Sequence, residues 1–133
     1  MAQRPLIRVV AGALFDGDGR VLIAERPAGK HMAGRWEFPG GKIGTGESDE
    51  RALGRELVEE LGVEVLAARH LLTLTHRYED RIVELSMWIV ERYRGEPREL
   101  DGQRLKWVGV RQLPEEDILP ADRPFIEALQ ALA

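Results

Sequence analysis

The stretch "RELVEELG", Arg55 to Gly62, crowds three carboxylates, Glu56, Glu59 and Glu60, onto one predicted helix. At roughly 100° per residue, Leu53, Leu57 and Leu61 form the apolar stripe of that helix. Glu56 and Glu60 fall on its shoulder, Glu59 lies just outside it, and Arg51 and Arg55 point elsewhere. Carboxylates that needed only water would sit opposite the stripe. Glu56 and Glu60 are also a like-charge i,i+4 pair, which costs roughly a few tenths of a kcal/mol when exposed and more when desolvated. One reading is a solvated charged face. The other is a set of oxygen ligands for a hard divalent cation such as Mg²⁺, which prefers carboxylates and keeps positions for water or substrate phosphates. No Lys or Arg stands at i,i+4 from Glu56 to relieve the repulsion, which favours the cation.

These residues need a scaffold, and 133 residues suffice for one domain, expected to cover residues 1–133, with its own core. A hydrophobic content of 44% with 32% charged residues is that of a soluble globular chain. The absence of cysteine excludes disulfides, thiolate metal sites and cysteine nucleophiles, and is compatible with a reducing cytoplasm, the expected location. Arg4 and Arg8 before "VVAGALF" faintly imitate a signal peptide, but the apolar run leads straight into "DGDGR" and a second apolar run, a hairpin pattern. No stretch approaches the roughly 20 apolar residues of a membrane span. A net charge of -4 argues against a nucleic-acid polymer as partner, so an anionic small substrate must be held by local cations.

Strands are predicted at Val9–Phe15 and Val21–Ala24, joined by the turn Asp16-Gly17-Asp18-Gly19. That turn is not a calcium loop, because the twelfth position from Asp16 is Pro27 where a carboxylate is required. From Pro27 to Gly46 the chain reads as a glycine-rich loop that nevertheless carries Trp36 and Phe38. Ser48 as N-cap and Gly62 as stop bound a helix from about Asp49 to Leu61. Further strands are expected at Leu71–Tyr78, Arg81–Tyr93 and Leu105–Val110, and a last helix begins around Pro124, with Phe125, Ala128, Leu129 and Leu132 at helical spacing. The order implies an α+β fold, a sheet with helices packed against it.

Read from Gly41, "GKIGTGESDERALGRELVEELGV" resembles the Nudix box: Gly, five residues, Glu, seven residues, Arg-Glu, an aliphatic, any residue, Glu-Glu, any residue, Gly and an aliphatic. Gly41, Glu47, Arg55, Glu56, Leu57, Glu59, Glu60, Gly62 and Val63 meet every defined position of this segment, residues 41–63. Upstream "WEFPGGK" and downstream "LPADRP" are similar to the MutT branch, which cleanses nucleotide pools. The resemblance spans nearly the whole chain and implies an αβα sandwich around a mixed sheet with an antiparallel hairpin. It also implies a nucleoside triphosphate pyrophosphohydrolase, giving NMP and pyrophosphate, acting as a monomer or weak dimer.

Polyphosphate repels both water and an acidic protein, so cations must neutralise it. By resemblance, Glu56, Glu59 and Glu60 hold Mg²⁺, with Mn²⁺ a possible substitute, together with the carbonyl of Gly40. Glu56 orients or deprotonates the attacking water, and family precedent places attack on the β phosphorus. Asp101 in "ELDGQ" stands where this branch brings a further acidic ligand, though acids are common in polar loops. Gly41 and Gly62 serve the backbone, while Glu47 and Arg55 are expected to pair and fix the loop to the helix. Arg26 and His31 match phosphate-contacting positions. Lys42 either attracts the phosphates or is simply exposed. Trp36 is assigned to packing, and Phe38 either packs or lines the nucleotide pocket.

Base choice turns on Asp122, which stands where MutT has an asparagine. An amide both donates and accepts, whereas an ionised carboxylate only accepts. Against a guanine O6 it would leave a buried polar group unpaired, at about 1–3 kcal/mol or roughly 5–150-fold in discrimination. It suits the cytosine amino group, and relatives with aspartate here include a CTP pyrophosphohydrolase; it would also suit guanine N1-H and N2-H₂ in another docking. As alternatives, Asp122 merely caps the last helix and Arg81, which matches a base-contacting position, is merely exposed at its turn. The first reading is therefore an enzyme sanitising 8-oxo-dGTP, and the second one acting on cytidine or modified pyrimidine triphosphates. ADP-ribose hydrolysis ranks lower because no proline occurs between Pro39 and Pro97; Tyr78 keeps a dinucleoside polyphosphate substrate open. A non-catalytic module is disfavoured by the intact box.

Overall fold

A computed structural model describes residues 4–132. Strand β1 (Leu6–Leu14) runs into the Asp16–Gly19 turn, where Asp16 Oδ1 accepts from the backbone N–H groups of Asp18 and Arg20, both at 2.9 Å. The expected hairpin stops there. Beyond the single bridge Phe15–Val21, β2 (Arg20–Glu25) diverges into another sheet. The reason lies in β1, which pairs in parallel with β6 (Ile82–Arg94) on one side and antiparallel with β4 (Gly40–Lys42) on the other, leaving no edge for β2.

One sheet has the order β4-β1-β6-β5 and the other β3-β2-β7, with β3 at Trp36–Glu37, β5 at Glu64–Arg77 and β7 at Leu105–Gly109. Strands β3 and β4 lie inside the stretch read as loop: glycines carry little strand propensity, and these short strands exist because β1 and β2 offer ladders. β5 starts at Glu64 rather than Leu71. Its first half, "EVLAARH", lacks clean alternation, and register shifts at Val65/Ala67, Ala67/Ala68 and His70/Leu72 absorb the irregularity while it pairs with β6. This β5–β6 pair is the long antiparallel hairpin of the fold.

Helix α1 spans Asp49–Leu61 as expected: Ser48 Oγ accepts from Arg51 N, and Gly62 ends the helix at φ 71°. Helix α2 (Arg123–Leu132) follows a short 3₁₀ turn at Pro120–Asp122, so Pro124 sits in its first turn. Alternation along β1 and β2 divides the core. Val10, Leu14 and Leu22 face Leu53, Leu57 and Leu61 of α1, whereas Ala11, Ala13, Val21 and Ile23 share a cluster with Phe125, Ile126 and Leu129 of α2. The sheets are thus sandwiched between the helices. At Gly12 a Cβ would come within 3.0 Å of Leu53 and 3.1 Å of Val90, so its bare backbone sets how closely α1 approaches.

Candidate active site

The two sheets splay around a cavity of about 670 Å³ lined by residues from every part of the chain. Arg26, His31, Phe38, Gly40, Gly41, Lys42, Glu56, Glu60, Arg81, Asp101 and Asp122, all singled out from sequence, reach it.

The α1 carboxylates are positioned by Arg55, which the helical wheel placed off the leucine stripe and one turn before Glu59. Its Nε and Nη2 donate to the two oxygens of Glu47 at 2.6 and 2.8 Å, a bidentate pair, and Nη2 also donates to the Lys42 carbonyl at 3.0 Å. Gly44 N–H donates to Glu47 Oε1 at 2.8 Å, and the combined donors hold the Glu47 carboxyl down at about 2. Arg55 Nη1 in turn donates to Glu56 Oε1 at 2.8 Å and Glu59 Oε2 at 3.3 Å. Arg55 therefore ties loop to helix and also screens two of the three clustered acids. Glu59 is exposed, turned to Arg55, and does not line the cavity.

Glu60 has no cationic partner among the described residues. Burial, then the negative charge of Glu56 and Glu37, with a smaller push from Asp101, raises its pKa to about 8. The Gly40 backbone N–H is the one group opposing that rise. Gly40 is free to turn this way because the hydrogen-bonded rungs between β1 and β4 fall on either side of it, Ile43 N to Arg8 O and Gly12 N to Pro39 O, both 2.9 Å. Its own N–H and C=O point off the ladder. A Cβ here would collide with the Val10 carbonyl, and one on Gly41 with the Glu56 carboxylate.

The donor set of Glu56, Glu60, Asp101 and the Gly40 carbonyl is oxygen only, and its like charges are crowded enough to raise Glu60; both features fit a hard divalent cation. Among the described residues no three acidic or imidazole side chains already form a metal-holding group, so Glu56, Glu60 and Asp101 line the same cavity without converging.

At the end of β2, Arg26 is held twice: Nε donates to the His31 carbonyl and Nη1 to Glu37 Oε1, each at 2.8 Å. His31 itself is exposed, and Met32 beside it takes the left-handed conformation at φ 58°. Lys30 joins Arg26, Lys42 and Arg81 in lining the cavity, so the cations demanded by an anionic substrate are local despite the acidic chain. Arg81 lies 4.7 Å over the Tyr78 ring and pairs with Asp80 at 3.1 Å.

Asp122 is 5% exposed and does not cap α2; its Oδ2 accepts from the Phe38 backbone N–H at 3.2 Å, and the carboxylate lines the cavity. Burial, with Glu37 as a second push, raises it to about 7. Phe38 does both things left open for it, packing edge-on at 4.7 Å against Phe125 while lining the cavity. Trp36 packs, with Lys106 Nζ 4.7 Å above its ring. Sequence reasoning passed over Glu37, Lys30 and the cavity face of Tyr78. Glu37 was marked only by being a charged residue between two buried aromatics, where in β3 alternation turns it to the opposite side of the strand from Trp36.

Residues 10–128 match the family model described as NUDIX domain. The CTP pyrophosphohydrolase of Escherichia coli K12 is 39% identical over 127 residues, covering 96% of this chain and 93% of that protein. The 8-oxo-dGTP diphosphatase of the same organism is 36% identical over 126 residues, covering 95% and 98%. A solved MutT structure from the pair Aliivibrio salmonicida and Vibrio cholerae superposes with a TM-score of 0.84 at 32% identity, over 96% of this chain and 99% of that one.

Proposed function

This chain belongs to the NUDIX domain family, and from that premise we propose that it is a divalent-metal-dependent nucleoside triphosphate pyrophosphohydrolase acting on 8-oxo-dGTP. The observation that carries the proposal is the meeting, in one cavity, of an acidic oxygen wall with four cationic side chains and a buried polar reader, Asp122. Glu56, Glu59, Glu60, Asp101 and the Gly40 carbonyl would hold Mg²⁺, or Mn²⁺ in its place, which would supply charge neutralisation of the polyphosphate. Arg26, already fixed by Glu37 and the His31 carbonyl, orients the phosphates without having to order itself, and Lys30 and Lys42 add attraction. Glu56 orients the attacking water and takes its proton, since Gly41 lets its carboxylate lie against the backbone. The products are NMP and pyrophosphate. Glu47 and Arg55 brace loop and helix, and Gly62 stops the helix. Location in the cytoplasm and a monomer or weak dimer complete the proposal; among the described residues, no helix is long and apolar enough to cross a membrane.

A second reading, hydrolysis of CTP and modified pyrimidine triphosphates, is favoured by Asp122 in its ionised form, which accepts from the cytosine amino group. Pyrophosphate release measured across dGTP, 8-oxo-dGTP, CTP, dCTP and 5-methyl-dCTP separates the two. The highest kcat/KM on a pyrimidine defeats the first reading, and no release with either Mg²⁺ or Mn²⁺ defeats the enzymatic proposal.

A further inference from the structure

Helix α1 ends in free carbonyls, as every helix does, and its last turn contains no basic side chain to cover them. Gly62 and Val63 N–H groups take the Val58 and Leu57 carbonyls at 3.0 and 3.4 Å. The Glu60 and Leu61 carbonyls are covered by a different segment, residues 98–103, in the loop that carries Asp101. Arg98 N donates to Leu61 O at 2.9 Å, and Leu100 N donates to Glu60 O at 3.3 Å.

The third contact from this loop is a side chain. Gln103 is 5% exposed, one of three buried polar residues among those described. Its Nε2 donates to the Glu60 carbonyl at 3.2 Å, and its Oε1 accepts from the Asp101 backbone N–H at 2.9 Å. The amide orientation is dictated by these partners: reversed, it would set oxygen against oxygen at Glu60 and N–H against N–H at Asp101. One planar group of fixed length therefore spans the backbones of two acidic residues that line the cavity from different elements. Gly102, between Asp101 and Gln103, takes φ 73°, which bends the loop back so that Gln103 can reach the residue two positions before it.

We propose that Gln103 is a positioning residue for the metal site: by bridging Glu60 and Asp101 it sets the separation of their carboxylates before any cation arrives. The inference rests on the metal reading of Glu60 and Asp101 given above. Its physical content is preorganisation. Without the bridge, the loop keeps its backbone bonds from Arg98 and Leu100 to the helix end, but the Asp101 backbone itself loses its tie to Glu60; the freedom it gains must be given up when the ion binds, and the cost appears as weaker metal binding with the ligands themselves unchanged.

The test is Mn²⁺ binding to the full chain without substrate, followed by electron paramagnetic resonance of the free ion, alongside thermal unfolding. Gln103→Leu removes both contacts. Gln103→Glu keeps an acceptor for Asp101 N but loses the donor to Glu60, and serves where the leucine variant fails to fold. Ser86→Ala is the comparator, since it deletes another buried hydrogen bond, from Trp88 Nε1 at 2.8 Å, outside the cavity lining. We expect the Mn²⁺ dissociation constant to rise about tenfold in both Gln103 variants, at the lower end of what outer-shell partners are worth. Ser86→Ala should lower Tm and leave that constant unchanged. The Mg²⁺ concentration for half-maximal turnover should rise in parallel, with kcat restored at saturating metal. Dissociation constants within twofold of the unaltered protein, with Tm lowered, would reduce Gln103 to a purely structural role and overturn the inference. A distinct failure, Mn²⁺ binding absent from the unaltered chain or unaffected by Glu56→Gln, would overturn the metal reading itself.

Discussion

Replacing Asp122 by asparagine probes base recognition and burial with one substitution. Burial pushes the Asp122 carboxyl up to about 7, and a midpoint there would leave roughly nine-tenths of it protonated at pH 6 and nine-tenths ionised at pH 8. The protonated carboxyl has a donor and resembles an amide, fitting the O6 of 8-oxo-guanine; the ionised form only accepts, fitting the cytosine amino group. Between pH 6 and pH 8 the first form falls about tenfold and the second rises about tenfold. The ratio of kcat/KM for 8-oxo-dGTP to that for dCTP should therefore fall by about 10–100-fold, within the roughly 5–150-fold that one unpaired buried polar group can enforce. Taking a ratio removes the titration of Glu60 and other groups common to both reactions. In Asp122→Asn the carbonyl oxygen still accepts from Phe38 N, the amide faces the cavity at all pH values, and the ratio should be flat and shifted toward 8-oxo-dGTP. The same group is linked to stability. Its folded pKa lies above the ordinary aspartate value of 3.8, so the native state binds the extra proton and stability declines as pH rises from about 4 to about 7. A shift of that size corresponds to a loss of up to about 4 kcal/mol. Asp122→Asn should thus have a higher Tm than the unaltered protein at pH 8 and little advantage at pH 4. A selectivity ratio that does not move with pH in the unaltered protein, or that moves equally in Asp122→Asn, refutes the recognition argument. An unchanged Tm difference between the two pH values refutes the burial argument.

Glu56→Gln should lower kcat by at least about 100-fold, the lower end for a lost general base, while Tm stays within a few degrees; unchanged kcat would remove Glu56 from the water. Gly41→Ala places a methyl group against the Glu56 carboxylate and should depress kcat far more than Tm, whereas equal losses of fold and activity would mean the backbone itself had moved. Glu47→Gln breaks the bidentate pair with Arg55 and should lower Tm at pH 7. Because the Glu47 pKa is depressed from 4.5 to about 2, its stabilisation is full above pH 4.5 and is lost as pH falls toward 2; a Tm gap constant across that range would contradict the linkage.

Helix α1 and its caps were legible because their signals are local: Ser48, Gly62 and the leucine stripe act within a few residues. Gly41, Glu56 and Glu60 were legible through motif spacing, and the other cavity residues singled out were legible through resemblance to the family outside that motif; both record the outcome of tertiary contacts without displaying them. The missing pieces are those whose reason is distant in sequence. Glu37 is defined by its contact with Arg26, and Gln103 by the Glu60 carbonyl. β2 leaves β1 because β6, from the other half of the chain, already occupies that edge. The wheel put Arg55 off the leucine stripe and one turn before Glu59, but it tracks backbone direction only and did not show that the long guanidinium side chain also reaches Glu56 and folds back over Glu47.

Charge balance connects these features. Each acid near the cavity competes for few cations: Arg55 is shared by Glu47, Glu56 and Glu59, and Arg26 is committed to Glu37. Glu60 and Asp122 form no ion pair among the described residues and accept only from the backbone N–H groups of Gly40 and Phe38, with Arg26 a weaker influence on Asp122, and these two carboxyls are pushed up to about 8 and about 7. A dipole cannot replace a full charge in a buried site, so both acids stay short of compensation until something binds. In the proposed function they are relieved differently. A divalent cation would satisfy Glu60, and either a proton or a base amino group would satisfy Asp122, so these two carboxyls mark where the chemistry and the selection take place.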